Sequence, residues 1–153
     1  MALAYFFQAS INCGIIVTTR ERAKQLSTEP KTEIQILSYG FARVKPMFMP
    51  AAPVPAAEMA LASAGLKIGD IKAVKTHNPF AVNDITFARK TGYDAMKMNN
   101  YGSSLIYGHP QGPTAGRAVI ELTEELVLLG GGYGLFTGCA AGDTAAALVL
   151  KVG

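Results

Sequence analysis

Cysteine and histidine are scarce in this chain, two of each in 153 residues, and charge is thin at 16%. Cys13 and Cys139 cannot build the multi-bridge framework of a small secreted domain. Two free thiols fit a reducing compartment, so the expected location is cytoplasmic. The scarce residues also lack a metal-site pattern. No two of Cys13, His77, His109 and Cys139 lie a few residues apart, as paired zinc ligands do, so no metal is expected. The formal charge is +3 and its Lys and Arg residues are scattered. Without a basic run or stripe, nucleic acid is not an expected partner. No uncharged apolar stretch reaches the ~18 residues of a membrane span. The opening MALAYFFQAS has neither a basic n-region nor a cleavage site, so it does not read as a signal peptide.

What remains is material for a core. Half of the residues are apolar, and the length suits one domain. Gly14 to Thr18 is a β-branched run that reads as a buried strand, with Thr19 as N-cap of a helix. TEIQILSYGFARV alternates and predicts a second strand. A proline-punctuated loop turns helical near Pro55 and stops at Gly65. DIKAVKTH predicts a third strand, and NPFAVNDITFARKTG a helix ended by Gly92. MKMNNYGSSLIYGHPQGP is a glycine-rich loop. Beyond it Ala115, Val119, Leu122, Leu126 and Leu129 step by four, three, four and three, the stripe of an amphipathic helix. YGLFTG and TAAALVLKV predict a closing antiparallel hairpin. Strand–helix alternation with that hairpin gives an α/β layered domain: a mixed five-stranded sheet with helices on both faces.

Three polar residues stand at the ends of these elements. His109 lies between Gly108 and Pro110 before the long helix, placed to donate to a developing oxyanion; the plain alternative is a satisfied loop histidine. Cys139 sits in GCAAGD, where small residues let backbone and ligand approach. It is either a tuned base or nucleophile, or a small core residue. Asn78, in HNPFA, either orients a water or carbonyl, or caps the helix. His77 beside it reads as a ligand or as an ordinary strand-end residue. GGGYG follows a helix and opens a strand, the reverse of a phosphate-binding loop.

Taken in order, NPFA, GHP and CAAG resemble the C-terminal half of a thiolase. ASINCG resembles the strand that opens that half, and MPAAPVPA its Met-Gly-x-Gly-Pro-x-Pro-Ala loop. The likeness runs from about Gln8 to Val152, so residues 1–153 are expected to form one thiolase-like C-terminal domain. The resemblance implies acyl transfer between CoA thioesters, with acyl-CoA and CoA as substrates and no other cofactor. It implies that Cys139 moves the α-proton, that His109 helps form the oxyanion hole, and that Asn78 holds a water completing it. Ala141 matches a backbone N–H on the tetrahedral intermediate, and Phe80 and Met49 match residues lining the acyl pocket.

The departures are specific. Proline follows Asn78 where the family has an acid. NNYGSS stands for NVNGGA. Asp143 and Thr144 break the glycines after Cys139. No acylatable cysteine appears in its family context. The expectation is therefore a C-terminal domain or split subunit, in an oligomer, active with an N-terminal half that carries the nucleophile. The alternative is a non-catalytic thiolase-like scaffold beside a catalytic homologue. A ketosynthase fits less well, since that class uses a second histidine where this chain has Cys139.

Overall fold

A computed structural model describes residues 12–29 and 31–153. The first helix, α1 (Arg20–Leu26), starts where Thr19 Oγ1 accepts the Arg22 N–H, the expected cap. It buries no residue and is tied to the strand region by Arg20 and Lys24 on Glu33, at 2.7 and 2.8 Å. These contacts hold the Glu33 carboxyl well below the usual range, at about 2.

Four strands form the sheet among the described residues: β1 (Ile34–Arg43), β2 (Ile71–His77), β3 (Gly132–Ala140) and β4 (Thr144–Val152), in the order β1-β4-β3-β2. The β1–β4 and β3–β4 pairs are antiparallel and β2–β3 is parallel, so the sheet is mixed. The expected count of five is corrected here. Gly14 to Thr18 makes no strand: Ile16 and Val17 are 82% and 71% exposed, and no edge pairs with them. β-Branched composition gives that run the propensity, but a strand exists only where a neighbour completes its hydrogen bonds. The beginning of ASINCG, residues 9–11, lies outside the described residues.

Helices cover both faces, as expected. On one face α2 (Pro53–Ala64) lies against β1 and β4, with α3 (Ala81–Thr91) packed beside it. Alanines 52, 56, 57 and 60 bring α2 close to the sheet, over Val74, Leu135, Ala147 and Val149. The approach is tight at Gly40, where a Cβ would sit 2.2 Å from the Ala56 carbonyl oxygen. Left-handed glycines end both helices, Gly65 at φ 69° and Gly92 at φ 75°. On the other face α5 (Thr114–Leu128) crosses β2 and β3. Its stripe buries Leu122 and Leu126 completely against Ala73, Phe136 and Leu150. A short helix, α4 (Ser104–Tyr107), breaks the long loop before it.

The hairpin between β3 and β4 turns through Gly142 and Asp143, at φ 80° and 59°. Asp143 is thus a turn residue. Its backbone carbonyl accepts the Val44 N–H at 2.9 Å, joining the hairpin to the end of β1.

Candidate active site

Parallel pairing places the carboxyl ends of β2 and β3 side by side, with His77 opposite Gly138. Crevices outside the carboxyl ends of such strands are where open α/β sheets hold their ligands. Side chains alternate along β2. Lys75 and His77 face α5, while Thr76 faces α3. Gly138 leaves room for the imidazole: a Cβ there would lie 2.8 Å from the Cβ of His77.

His77 Nδ1 lies 3.0 Å from the carbonyl oxygen of Cys139. A carbonyl only accepts, so Nδ1 carries the hydrogen and Nε2 is left as an acceptor. Nε2 lies 3.1 Å from the ring nitrogens of His109, and the two ring centroids are 4.1 Å apart. His109 Nδ1 is 3.0 Å from Thr114 Oγ1 in the first turn of α5. Burial, and then the neighbouring His109, pull the His77 pKa from its ordinary 6.5 to about 4. Burial lowers that of His109 as well. Both rings are therefore neutral near pH 7, and together they hold two N–H groups. One is committed to the Cys139 carbonyl; the other belongs to His109.

Cys139 is buried, and its sulfur accepts a hydrogen bond from Asn83 Nδ2 at 3.0 Å. Burial pushes the thiol up, and the Asn83 contact opposes that shift. Cys139 and His77 line one cavity of about 500 Å³, walled also by Phe41, Arg43, Phe136 and Ala146.

Of the residues singled out in the sequence, the structure brings His109 and the backbone carbonyl of Cys139 to His77, while the Cys139 sulfur turns to Asn83 on the α3 side of the sheet. Asn78 goes elsewhere. It is 1% exposed, and its amide donates to Asp84, which also accepts from Thr76 Oγ1 at 2.6 Å and Asn99 Nδ2 at 3.2 Å. This polar knot ties the end of β2 to α3 and to the loop. Ala141 is exposed in the hairpin turn, where its carbonyl accepts from Thr144 Oγ1. Phe80 is the 53% exposed N-cap of α3, and Met49 is half-buried in a 3₁₀ turn leading to α2. Neither wall of the cavity includes them.

Sequence reasoning left His77 open between a ligand and a strand-end residue, and missed Asn83 and a buried ion pair. Lys75, 1% exposed, reaches Glu121 at 3.2 Å and the Gly102 carbonyl at 3.2 Å. Arg117 holds Glu121 at 2.6 Å and lies over the Tyr107 ring, whose hydroxyl donates to the Tyr101 carbonyl. These contacts fasten the loop that carries His109 to α5. The alternation of β2 was the available signal for His77. Among the described residues no three His, Cys, Asp or Glu side chains gather as a metal site. No helix described is long and apolar enough to cross a membrane.

Residues 30–152 match the family model described as the thiolase C-terminal domain. The chain is 34% identical over 140 residues to the acetyl-CoA acetyltransferase of Syntrophomonas wolfei, covering 90% of this chain and 35% of that protein. It is similar to the crystal structure of the Bacillus anthracis acetyl-CoA acetyltransferase, with a TM-score of 0.81 and 27% identity over 88% of this chain and 34% of that one. It is also similar to human mitochondrial 3-ketoacyl-CoA thiolase solved in complex with CoA, with a TM-score of 0.75 and 30% identity over 78% of this chain and 30% of that one. The chain thus spans about a third of the length of these relatives.

Proposed function

From the premise that this chain belongs to the thiolase C-terminal domain family, we propose that it supplies the proton-transfer half of a thiolase-type acyltransferase site. Its substrates are acyl-CoA thioesters and CoA. The meeting of His77 and His109 beside the cysteine turn, at the ends of β2 and β3, carries the reading.

In the condensing direction the Cys139 thiolate takes a proton from the carbon next to the thioester carbonyl. Negative charge then develops on the thioester oxygen. His109 swings its one N–H from the His77 Nε2 it faces in the free chain to that oxygen. His77, whose Nε2 can only accept, holds a water that donates its second hydrogen to the same oxygen. The water-holding role that the resemblance gave to Asn78 passes to His77 on this geometry. The Ala141 backbone N–H serves the tetrahedral intermediate. Neutral, fixed donors of this kind are worth on the order of 3 kcal/mol each in the transition state. In the cleaving direction the protons run back, and the thiolate of Cys139 activates the incoming CoA thiol.

The acylated cysteine comes from an N-terminal thiolase half, whether part of a longer chain or a separate subunit. Two observations support that companion. The chain covers only about a third of its relatives. Beside α5, one face of β1 is apolar and exposed among the described residues. The test is reconstitution. The pure chain is expected to be silent towards acetoacetyl-CoA plus CoA, and active once mixed with a thiolase N-terminal half bearing the nucleophile. Turnover by the pure chain overturns the reading. Cys139→Ser is expected to leave acylation of the companion intact and to abolish condensation.

One observation favours a second reading, a non-catalytic scaffold: burial raises the Cys139 thiol away from the range of a ready base. Slow iodoacetamide labelling of Cys139 near neutral pH in the assembled complex would favour the scaffold; fast labelling would favour the enzyme.

A further inference from the structure

Asn83 is one of three buried side chains, with Asn78 and Glu125, that leave an oxygen without a partner among the described residues, and of these it is the one beside a thiol. It stands in the first turn of α3, is 2% exposed, and directs Nδ2 at the Cys139 sulfur at 3.0 Å. Its Oδ1 is buried with no hydrogen-bond partner. Buried amide oxygens are nearly always satisfied, so an unpartnered one requires a reason. The sulfur beside it supplies one. A thiolate only accepts, whereas a thiol has a hydrogen to donate. A carboxylate would serve only the thiol, and an ammonium only the thiolate. A carboxamide serves both by rotating half a turn, provided its oxygen is not already engaged.

We infer that Asn83 is the positioning residue for the Cys139 proton, donating Nδ2–H to the thiolate and turning to accept the S–H on Oδ1. The proton balance is simple. When the sulfur takes a proton from the substrate carbon, the N–H···S⁻ bond becomes S–H···O. The return of that proton restores the first arrangement. The negative charge passes from the sulfur to the thioester oxygen, and no other protein group changes charge. His77 on β2 lines the cavity and, with His109 beside it, is neutral over the range in which the thiol titrates; Arg43 on β1 is the charged residue of the lining. The inference rests on the acid–base reading of Cys139.

The experiment uses the full chain with Cys13→Ser, so that Cys139 is the one thiol, in wild-type, Asn83→Leu and Asn83→Asp forms. Iodoacetamide alkylation is followed against pH. Asn83→Leu is expected to raise the midpoint by about one pH unit, a tenfold change in the thiolate equilibrium. Asn83→Asp, isosteric but without a donor, is expected to raise it further. The infrared S–H band should shift to the free-thiol position in Asn83→Leu and stay hydrogen-bonded in Asn83→Asp. Midpoints unmoved in both variants, or an S–H band unchanged by Asn83→Leu, overturn the inference; if the leucine variant does not fold, the aspartate midpoint decides alone. Neither readout needs turnover. An amide-dependent thiol in a chain whose condensation survives Cys139→Ser would refute the acid–base reading and leave the sulfur–amide coupling standing.

Discussion

The two faces of the sheet are finished to different degrees. Under α2 and α3 the face is closed by residues of this chain: Ala56, Ala60, Val74, Leu135 and Val149 are each completely buried. Under α5 the other face is closed only above β2 and β3. Beside the helix, Ile34, Ile36, Tyr39 and Phe41 share the side of β1 that pairs with Val152, Leu150, Leu148 and Ala146. They remain 49–68% exposed. Contiguous apolar surface of this kind marks an interaction site far more often than isolated exposed residues do. The contrast separates a face that this chain closes by itself from one that it leaves open. The closed one holds the domain together. The open one borders the cavity, through Phe41 and Arg43, at the place where a companion half would complete the site.

Substitutions on each face can break or sharpen that contrast. The largest effect is expected at Gly40, on the closed face. Its Cβ would meet backbone atoms of α2, Ala56 O at 2.2 Å and Ala60 N at 2.7 Å, which cannot yield as a side chain would. Gly40→Val is expected to cost about 4 kcal/mol or to prevent folding, read by urea denaturation. Next comes Leu122→Ala under α5, where a fully buried side chain is lost. About 2–5 kcal/mol is expected, by the same measurement. A cost near zero would mean that α5 is not truly seated in this chain alone.

A smaller effect should appear with pH. The folded-state pKa of His77 is depressed from 6.5 to about 4, so between those values the unfolded chain binds more protons. Stability contributed by the neutral ring is fully present above about pH 6.5 and is lost as pH falls towards 4. His77→Gln should flatten that part of the stability-versus-pH curve; an unchanged slope would remove His77 as its source. The smallest effect belongs to the open face. Phe41→Ser should change the stability of the chain by less than ~0.5 kcal/mol while weakening its association with a thiolase N-terminal half in a pull-down titration. A large loss of stability there would show that the bare face is closed within this chain after all.

Much of this was legible in the sequence, for reasons that differ by element. The α5 stripe was readable because its burial follows the helical period. The hairpin and the two left-handed glycine stops were readable because backbone geometry selects their residues. Gly14 to Thr18 misled because propensity is local and strand pairing is not. The site was half legible. His109 and Cys139 stood out by their small neighbours, but the choice between His77 and Asn78 turns on which side of β2 faces α5. Motif spacing leaves that open, and one step along a strand reverses the answer. Lys75 with Glu121, and Asn83 with Cys139, are separated by 46 and 56 positions, distances at which pattern carries no signal.

The register that sets His77 against Gly138 works as a ruler. Adjacent strands keep their spacing of about 4.8 Å wherever their ladder is intact, so the distance between imidazole and cysteine turn is set by the sheet rather than by the long connection from Gly92 to Pro113. Heating that softens the connection would leave the measure unchanged. On the proposed acyl-transfer role, activity with a companion half would then vanish in step with the cooperative melting of the sheet, and not before it.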